Sequence, residues 1–364
     1  MDNSKKRIAI CTYSLNFGGA EKQAVLDANL LCTSKLPYID QVYLLTFKRG
    51  ELSSLLDKDI VHITLGRQKY LLTTLKLARI VKKEKIDVVH ASLFAPMIIS
   101  ALTSMIAPVS VVWHFHSHEF DIPLRSRLAF RRLSRLSSVK KILFVNHELK
   151  EHFSSFNFPP EKLGVLYNYS TIESCNSGVE KRTELVNVGY LGRVIELKRV
   201  HYLVKLAAYL TGVKKVFSFK IHIVGDGEGL DLIRSLVVDS GLNEYFDFYG
   251  FREDVAPCYE QFDIFVNPSS EECLSMAMID AGMMGLPIVA FDVGGNNEIV
   301  IDNKTGFIVN NQMDFFDKCL LLISNAEMRK KMGDAAREHC GETFGASRHI
   351  EQLARIYEEI LHVV

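Results

Sequence analysis

Short apolar runs alternate with stretches whose apolar residues recur at helical spacing, and the alternation starts afresh part-way along the chain. The first series predicts strands at 7–12, 42–47, 61–65, 88–90, 109–113, 142–145 and 163–167, with helical stretches between most of them, the first from Ala20 to Leu31. Strands and helices taking turns predict a parallel sheet covered on both faces, because each parallel connection needs a long crossover. A second series predicts strands at 185–190, 219–224, 246–249, 264–266 and 288–291, then helices at 311–323, 326–339 and 346–362. Between the two series the apolar pattern lapses over 171–184, which reads as a linker. The expected fold class is therefore α/β, with two Rossmann-like doubly wound domains at 1–170 and 185–345 and a closing helix in 346–364. That helix carries one apolar stripe, Ile350, Leu353, Ile356, Tyr357 and Ile360.

Residues 91–113 lack any charge and are long enough to span a bilayer. Pro96 and Pro108 punctuate them, and Val109–Trp113 is a β-branched run, so they read as a buried helix followed by a core strand. The basic start is followed by an apolar run only of strand length, which predicts no secretory signal.

The chain centres on residues 267–300, where a polar turn bearing Glu271 and Glu272 leads into an amphipathic run, a Gly-Leu-Pro stop at 285–287, an apolar strand and a glycine pair. Amides at the start of a helix point outward unpaired, so the turn before Leu274 suits a phosphate or another anion. Acids beside such a site need a reason of their own, and accepting hydrogen bonds from sugar hydroxyls is one. The alternative is that they favour the helix dipole. Two more loops share this character. Gly18 and Gly19 stand between the first strand and its helix, a phosphate-cradle arrangement without the dinucleotide Gly-x-Gly-x-x-Gly fingerprint. Arg193 and Lys198 project from the loop after the strand at 185–190, where two cations can neutralise a diphosphate.

Size and composition add bounds. A chain of 364 residues suits two domains, and 48 % apolar with 24 % charged residues describes a globular protein. Lysine plus arginine and aspartate plus glutamate both number 43, so the chain as a whole has no bias toward nucleic acid or anionic lipid. Seven scattered cysteines without a Cys-x-x-Cys pair argue against a disulfide framework and for a reducing, cytoplasmic setting. His114, His116 and His118 alternate at the end of a strand, but no second ligand cluster accompanies them, and no metal site is expected.

The central stretch resembles the signature region of the retaining glycosyltransferases of family 4. In that family a glutamate at a helix start is followed eight positions later by a second glutamate, then Ala, a Gly-x-Pro stop and a Gly-Gly-x-x-Glu turn. Glu272, Ala281, Gly285, Pro287, Gly294, Gly295 and Glu298 fall on this pattern. Asp280 stands where the second glutamate is usual, and Cys273 where a glycine is.

The resemblance implies the GT-B architecture, two domains facing across a cleft, with the closing helix packing back on the first. It implies that Glu272 holds sugar hydroxyls, Asp280 the ribose, and His116 the transferring sugar or acceptor. Arg193 and Lys198, with the amides of Cys273, Leu274 and Ser275, would bind the donor diphosphate. The Gly18–Gly19 loop would face that diphosphate, and the loops at Gly225 and Gly250 would surround the base. A nucleotide-diphosphate sugar is then the co-substrate, UDP being the commonest type, and no other cofactor or metal is implied. The expected activity is transfer of a hexosyl or N-acetylhexosaminyl group, with retention, to a glycan or lipid-linked oligosaccharide in bacterial surface polysaccharide synthesis. The alternatives are another GT-B enzyme such as a nucleotide-sugar epimerase, or a non-catalytic GT-B partner subunit.

One basic stretch stands apart. Residues 124–137 carry five arginines and no acid and continue into Lys140 and Lys141. Arg127, Arg131 and Arg135 fall on one helical face and Phe130, Leu133 and Leu136 on the other. Residues 124–141 are thus a candidate for peripheral contact with anionic lipid at the inner face of the cell membrane, against the plainer reading of a solvated face.

Overall fold

Runs such as Val88–Ser92, buried at every position, form strands covered on both faces, as parallel sheets require. The computed structural model describes residues 5–16, 18–66, 69–117, 124–172 and 185–362. The linker predicted at 171–184 therefore lies, but for its first two residues, outside the described part, as does His118. The chain divides into two units, Met1–Asn168 with Ala346–Val364, and Tyr169–Gly345.

The first unit runs β1 (Lys6–Thr12), α1 (Gly19–Thr33), β2 (Ile39–Thr46), β3 (Val61–Thr64), α2 (Tyr70–Glu84), β4 (Val88–Ser92), α3 (Phe94–Ser104), β5 (Ser110–Phe115), α4 (Leu124–Leu133), β6 (Val139–Phe144), α5 (His147–His152) and β7 (Leu163–Val165). Among the described residues its strands make one sheet in the order β3-β2-β1-β4-β5-β6-β7, with parallel pairing throughout. The uncharged stretch 91–113 is the buried helix α3 followed by β5, and among the described residues no helix is long and apolar enough to cross a membrane.

The second unit runs β8 (Val186–Leu191), α6 (His201–Ala208), β9 (Phe219–Val224), α7 (Leu230–Asp239), β10 (Phe246–Gly250), α8 (Ala256–Gln261), β11 (Ile264–Asn267), α9 (Met276–Met283), β12 (Ile288–Phe291), α10 (Asn296–Ile299), β13 (Gly306–Val309), α11 (Gln312–Ser324) and α12 (Ala326–Phe344). Its sheet order is β10-β9-β8-β11-β12-β13, again parallel. The closing helix α13 (Ala346–Leu361) belongs to the first unit, where Leu353, Tyr357 and Ile360 join the core around Ile8, Ile10, Val25 and Leu44.

Both units are thus α/β with doubly wound parallel sheets, the class expected. The strand β13 has no counterpart in the sequence reading, because Gly306-Phe-Ile-Val309 is short and opens on a glycine. Adding a Cβ to Gly306 would bring it to 2.1 Å from the Ile288 carbonyl oxygen on β12, so close strand packing accounts for that glycine. The arginine-rich helix α4 has its expected sidedness, with Phe130 fully buried and Arg127, Arg131 and Arg132 exposed.

Candidate active site

In each sheet the strand order reverses once, and ligands of such folds sit at the carboxyl ends of the strands where it does. In the second unit the reversal falls between β8 and β11, so the loops that follow these strands, 192–198 and 268–275, diverge from one point. Ser270 ties them together, since both its backbone N–H (2.8 Å) and its hydroxyl (3.0 Å) donate to the Leu197 carbonyl.

Glu272 sits at this junction with a side chain 12 % exposed. Its Oε1 accepts from Lys198 Nζ at 2.6 Å, from Ser269 Oγ at 2.9 Å and from Asn267 Nδ2 at 3.2 Å. Charge-assisted bonds to one carboxylate oxygen fix its position, so Glu272 and Lys198 form a preset pair of opposite charges. Arg193 is exposed on the same loop as Lys198, and its backbone is held by the Tyr190 hydroxyl, which donates to the Arg193 carbonyl at 2.9 Å.

The helix that follows begins later than expected, at Met276 rather than at Leu274. The Cys273 carbonyl accepts from Gly295 N–H at 2.7 Å, which draws the backbone of 272–275 out of helical geometry. Gly294, at φ +55°, makes this approach possible, because a Cβ there would lie 1.7 Å from the Glu272 carbonyl oxygen. Leu274 and Ser275 are buried, and no side chain caps α9. The amides of its first turn thus supply an uncapped positive pole beside Glu272 and Lys198.

The other predicted loops of this unit close in through their backbones. Gly225, at φ +132°, packs so tightly on Gly192 that a Cβ would meet its carbonyl oxygen at 1.9 Å, and its N–H donates to the Gly250 carbonyl at 2.8 Å. A cavity of about 530 Å³, lined by Val194, Ile195, Glu228 and Gly229, lies behind the Arg193 loop rather than at Glu272.

Gly18, Gly19 and His116 belong to the first unit. Gly18 and Gly19 begin α1 beside the point, between β1 and β4, where that sheet reverses. His116 follows β5 with its Nε2 3.3 Å from Ser92 Oγ and its ring 4.1 Å from that of His114, as alternate residues of a strand share a face. Burial pushes His116 down to about 4, so near pH 7 it is a neutral hydrogen-bonding group. His114 is a structural histidine, fully buried with Nε2 donating to the Leu166 carbonyl at 3.1 Å.

Residues 186–325 match the family model described as Glycosyl transferases group 1, and residues 41–169 match Glycosyltransferase Family 4. The chain belongs to the family 4 glycosyltransferases. It is 24 % identical over 354 residues to the UDP-Gal:alpha-D-GlcNAc-diphosphoundecaprenol alpha-1,3-galactosyltransferase of Escherichia coli, covering 92 % of this chain and 89 % of that one. It is 29 % identical over 203 residues to the poly(ribitol-phosphate) alpha-N-acetylglucosaminyltransferase of Staphylococcus aureus (strain COL), 55 % of this chain but only 40 % of that relative. Among solved structures, Anabaena HepE in complex with UDP superposes with a TM-score of 0.85 at 19 % identity, covering 97 % of this chain and all of that one, which shows the shared fold.

In this glycosyltransferase the departure at Asp280 has a local account. Asp280 is 5 % exposed on α9, and its Oδ1 accepts from Ser170 Oγ at 2.6 Å. Ser170 in turn pairs with the end of the unit, its N–H donating to the Phe344 carbonyl at 3.0 Å. A hydrogen bond to a charged group contributes about 1.5–3 kcal/mol, so Ser170→Ala is expected to lower the stability of this unit by about that much. With Asp280 expected at the ribose, nucleotide affinity should fall as well. Denaturant unfolding with a parallel UDP titration checks both, and an unchanged unfolding midpoint would dismiss the anchoring role.

Asn267, Ser269 and Tyr190 were not among the candidates from sequence. The first two lie within five residues of Glu272 on the strand end that carries the turn, a signal that was available. Tyr190 carried none, because its contact is to a backbone carbonyl.

Proposed function

We propose that this glycosyltransferase moves a hexosyl or N-acetylhexosaminyl group from a UDP-sugar to a glycan or lipid-linked acceptor in bacterial surface polysaccharide synthesis, with retention. The observation that carries the reading is the Lys198–Glu272 pair at the strand-order reversal, flanked by Arg193 and the uncapped start of α9. As the bond between the sugar C1 and the diphosphate oxygen breaks, negative charge grows on the leaving diphosphate and positive charge on the sugar. Lys198, Arg193 and the amides from Cys273 to Met276 meet the first, preorganised rather than recruited from solvent. On this reading Glu272 accepts from the sugar hydroxyls, and the family resemblance assigns neutral His116 to the sugar or the acceptor. On the same reading Gly225 and Gly250 serve the base and Asp280 the ribose, and the family resemblance assigns Gly18 and Gly19 to the diphosphate.

The names of the two relatives support the donor and acceptor classes, one a UDP-galactose enzyme acting on a diphosphoundecaprenol sugar and the other an N-acetylglucosaminyltransferase. Such acceptors support a location in the cytoplasm at the inner face of the cell membrane, and we assign the basic stretch 124–141 as a peripheral contact there.

A ligand that binds only the folded state raises its stability, by about 2.7 kcal/mol at a hundred times its dissociation constant. UDP is therefore expected to raise the melting temperature more than GDP or ADP, and a UDP-sugar to yield a glycosylated lipid-linked product. No melting shift with UDP would overturn the donor assignment. Isomerised donor would identify an epimerase, and donor binding without turnover on any acceptor a non-catalytic subunit.

A further inference from the structure

The helix α2 carries a face that neither the core nor the site uses. Its buried residues, Thr73, Thr74, Leu77, Ala78 and Val81, repeat at helical spacing toward the sheet. On the opposite side Leu71 is 70 % exposed, Leu72 52 % and Leu75 41 %, and Tyr70 beside them is 49 % exposed. Single exposed leucines are ordinary, but three on one turn and a half of a helix make a patch. The same face continues into Arg79, Lys82 and Lys83, all exposed. The only acid of α2, Glu84, is paired with Lys83 at 3.1 Å.

An apolar half followed by a basic half on one helix face matches the boundary of an anionic bilayer, with leucines among the acyl chains and cations among the phosphates. Position supports the match. The first turn of α2 leaves the carboxyl end of the sheet, the end at which His116 and Gly18 also lie. The neighbouring helix α3 packs beside it, with Thr103 Oγ1 donating to the Thr74 carbonyl at 3.5 Å, and Met105 and Ile106, just past the end of α3, are 62 % and 45 % exposed.

The arginines of α4 and of the turn after it are a different kind of surface. Arg127 lies over the Phe156 ring at 5.6 Å, and Arg135 donates to the carbonyls of Arg131 and Asn157 at 2.6 and 3.0 Å. These cations stay at the protein surface, and among the described side chains Leu128, at 44 %, is the large apolar one exposed beside them. Charge alone attaches reversibly, whereas inserted leucines add an attraction that salt does not screen.

We propose that the outer face of α2, Leu71, Leu72 and Leu75 with Arg79, Lys82 and Lys83, inserts into the headgroup boundary of an anionic membrane and holds the first unit on it. The proposal deepens the reading of a lipid-linked acceptor, for it supplies the surface on which that acceptor would be met.

The test is co-sedimentation of the full chain with vesicles of phosphatidylcholine and phosphatidylglycerol, against vesicles of phosphatidylcholine alone. Leu71→Ser/Leu72→Ser/Leu75→Ser is expected to lower binding by about tenfold or more, by losing buried apolar area. Leu72→Trp should shift its emission to the blue on the mixed vesicles and be quenched by brominated acyl chains, with Trp113, fully buried, as a constant background. Thermal melting of each variant confirms that these exposed changes leave the fold intact. Failure of the wild type to bind mixed vesicles, or equal binding by the triple variant, overturns the proposal. So does a dimer of the wild type that the triple variant abolishes, for the face would then join two copies of this chain. The vesicles contain no sugar, so their result is independent of the transfer assay. A water-soluble acceptor analogue should be glycosylated equally by the wild type and the triple variant.

Discussion

Replacing Lys198 with alanine is expected to lower sugar transfer by about 100-fold or more, the range seen when one preorganised donor to a developing anion is removed. Lys198 Nζ lies 2.6 Å from Glu272 Oε1, with the two side chains 18 % and 12 % exposed. The substitution thus acts twice. On the proposed function it removes a cation from the leaving diphosphate, and it leaves a mostly buried carboxylate with Ser269 and Asn267 as its remaining partners among the described residues. Glu272→Gln keeps an oxygen for the same donors but removes the charge, and is expected to lower transfer by a similar factor. Because each residue holds the other in place, the double variant should be little worse than either single one. Steady-state kinetics with a saturating acceptor, alongside melting curves, checks this. Wild-type transfer by either folded single variant would remove the pair from the mechanism.

The second large effect is expected on stability, from a pair far from Lys198 in the chain. His349 on α13 and Asp27 on α1 are 3 % and 3 % exposed, with Nε2 2.8 Å from Asp27 Oδ1. The other nitrogen, Nδ1, is 2.8 Å from the Tyr167 carbonyl, which can only accept, so Nδ1 carries a proton. Burial alone would push Asp27 up, yet the charge and hydrogen bond of His349, with the Gln23 amide, hold it below the usual carboxylate range. An ionised Asp27 then requires a proton on Nε2 as well, which makes a buried imidazolium-carboxylate pair.

Removing one member of such a pair leaves a buried charge uncompensated, so His349→Ala is expected to destabilise the first unit by about 3–5 kcal/mol. Asp27→Leu/His349→Leu, which removes both charges, should be clearly milder. Denaturant unfolding compares the two, and equal losses would mean that packing, not charge, dominates.

The same cluster sets a pH dependence. Asp27 has a lowered pKa, so its contribution is present above the usual carboxylate range and lost as pH falls through its folded value. His90, fully buried with Nδ1 2.8 Å from the Tyr357 hydroxyl, is pushed down to about 4 by burial. Its contribution is complete above its ordinary 6.5 and lost as pH falls toward 4, about 3 kcal/mol for this one group. The melting temperature should therefore decline from pH 6.5 to 4, before the carboxylate range is reached. A flat profile over that interval would show that His90 takes up its proton as readily in the folded chain as in the unfolded one.

The sequence by itself determined the two series of strands and helices, because burial on both faces of a parallel strand demands a continuous apolar run and each crossover demands a helix. It also determined the outline of the central turn, since Gly285, Pro287, Gly294 and Gly295 punctuate the backbone wherever they stand. What it left open were contacts between residues distant in the chain. Glu272 and Lys198 are 74 residues apart, Asp280 and Ser170 are 110, and His349 and Asp27 are 322. Periodicity says which side of an element is apolar but not which other element arrives there, and that is decided by strand order and loop path. The same limit hid α2, where apolar residues lie on both faces and only the position of the sheet shows that Thr73, Thr74 and Leu77 face inward while Leu71, Leu72 and Leu75 do not. Hydrophobicity is a property of the side chain, whereas burial is a property of where the rest of the chain has gone.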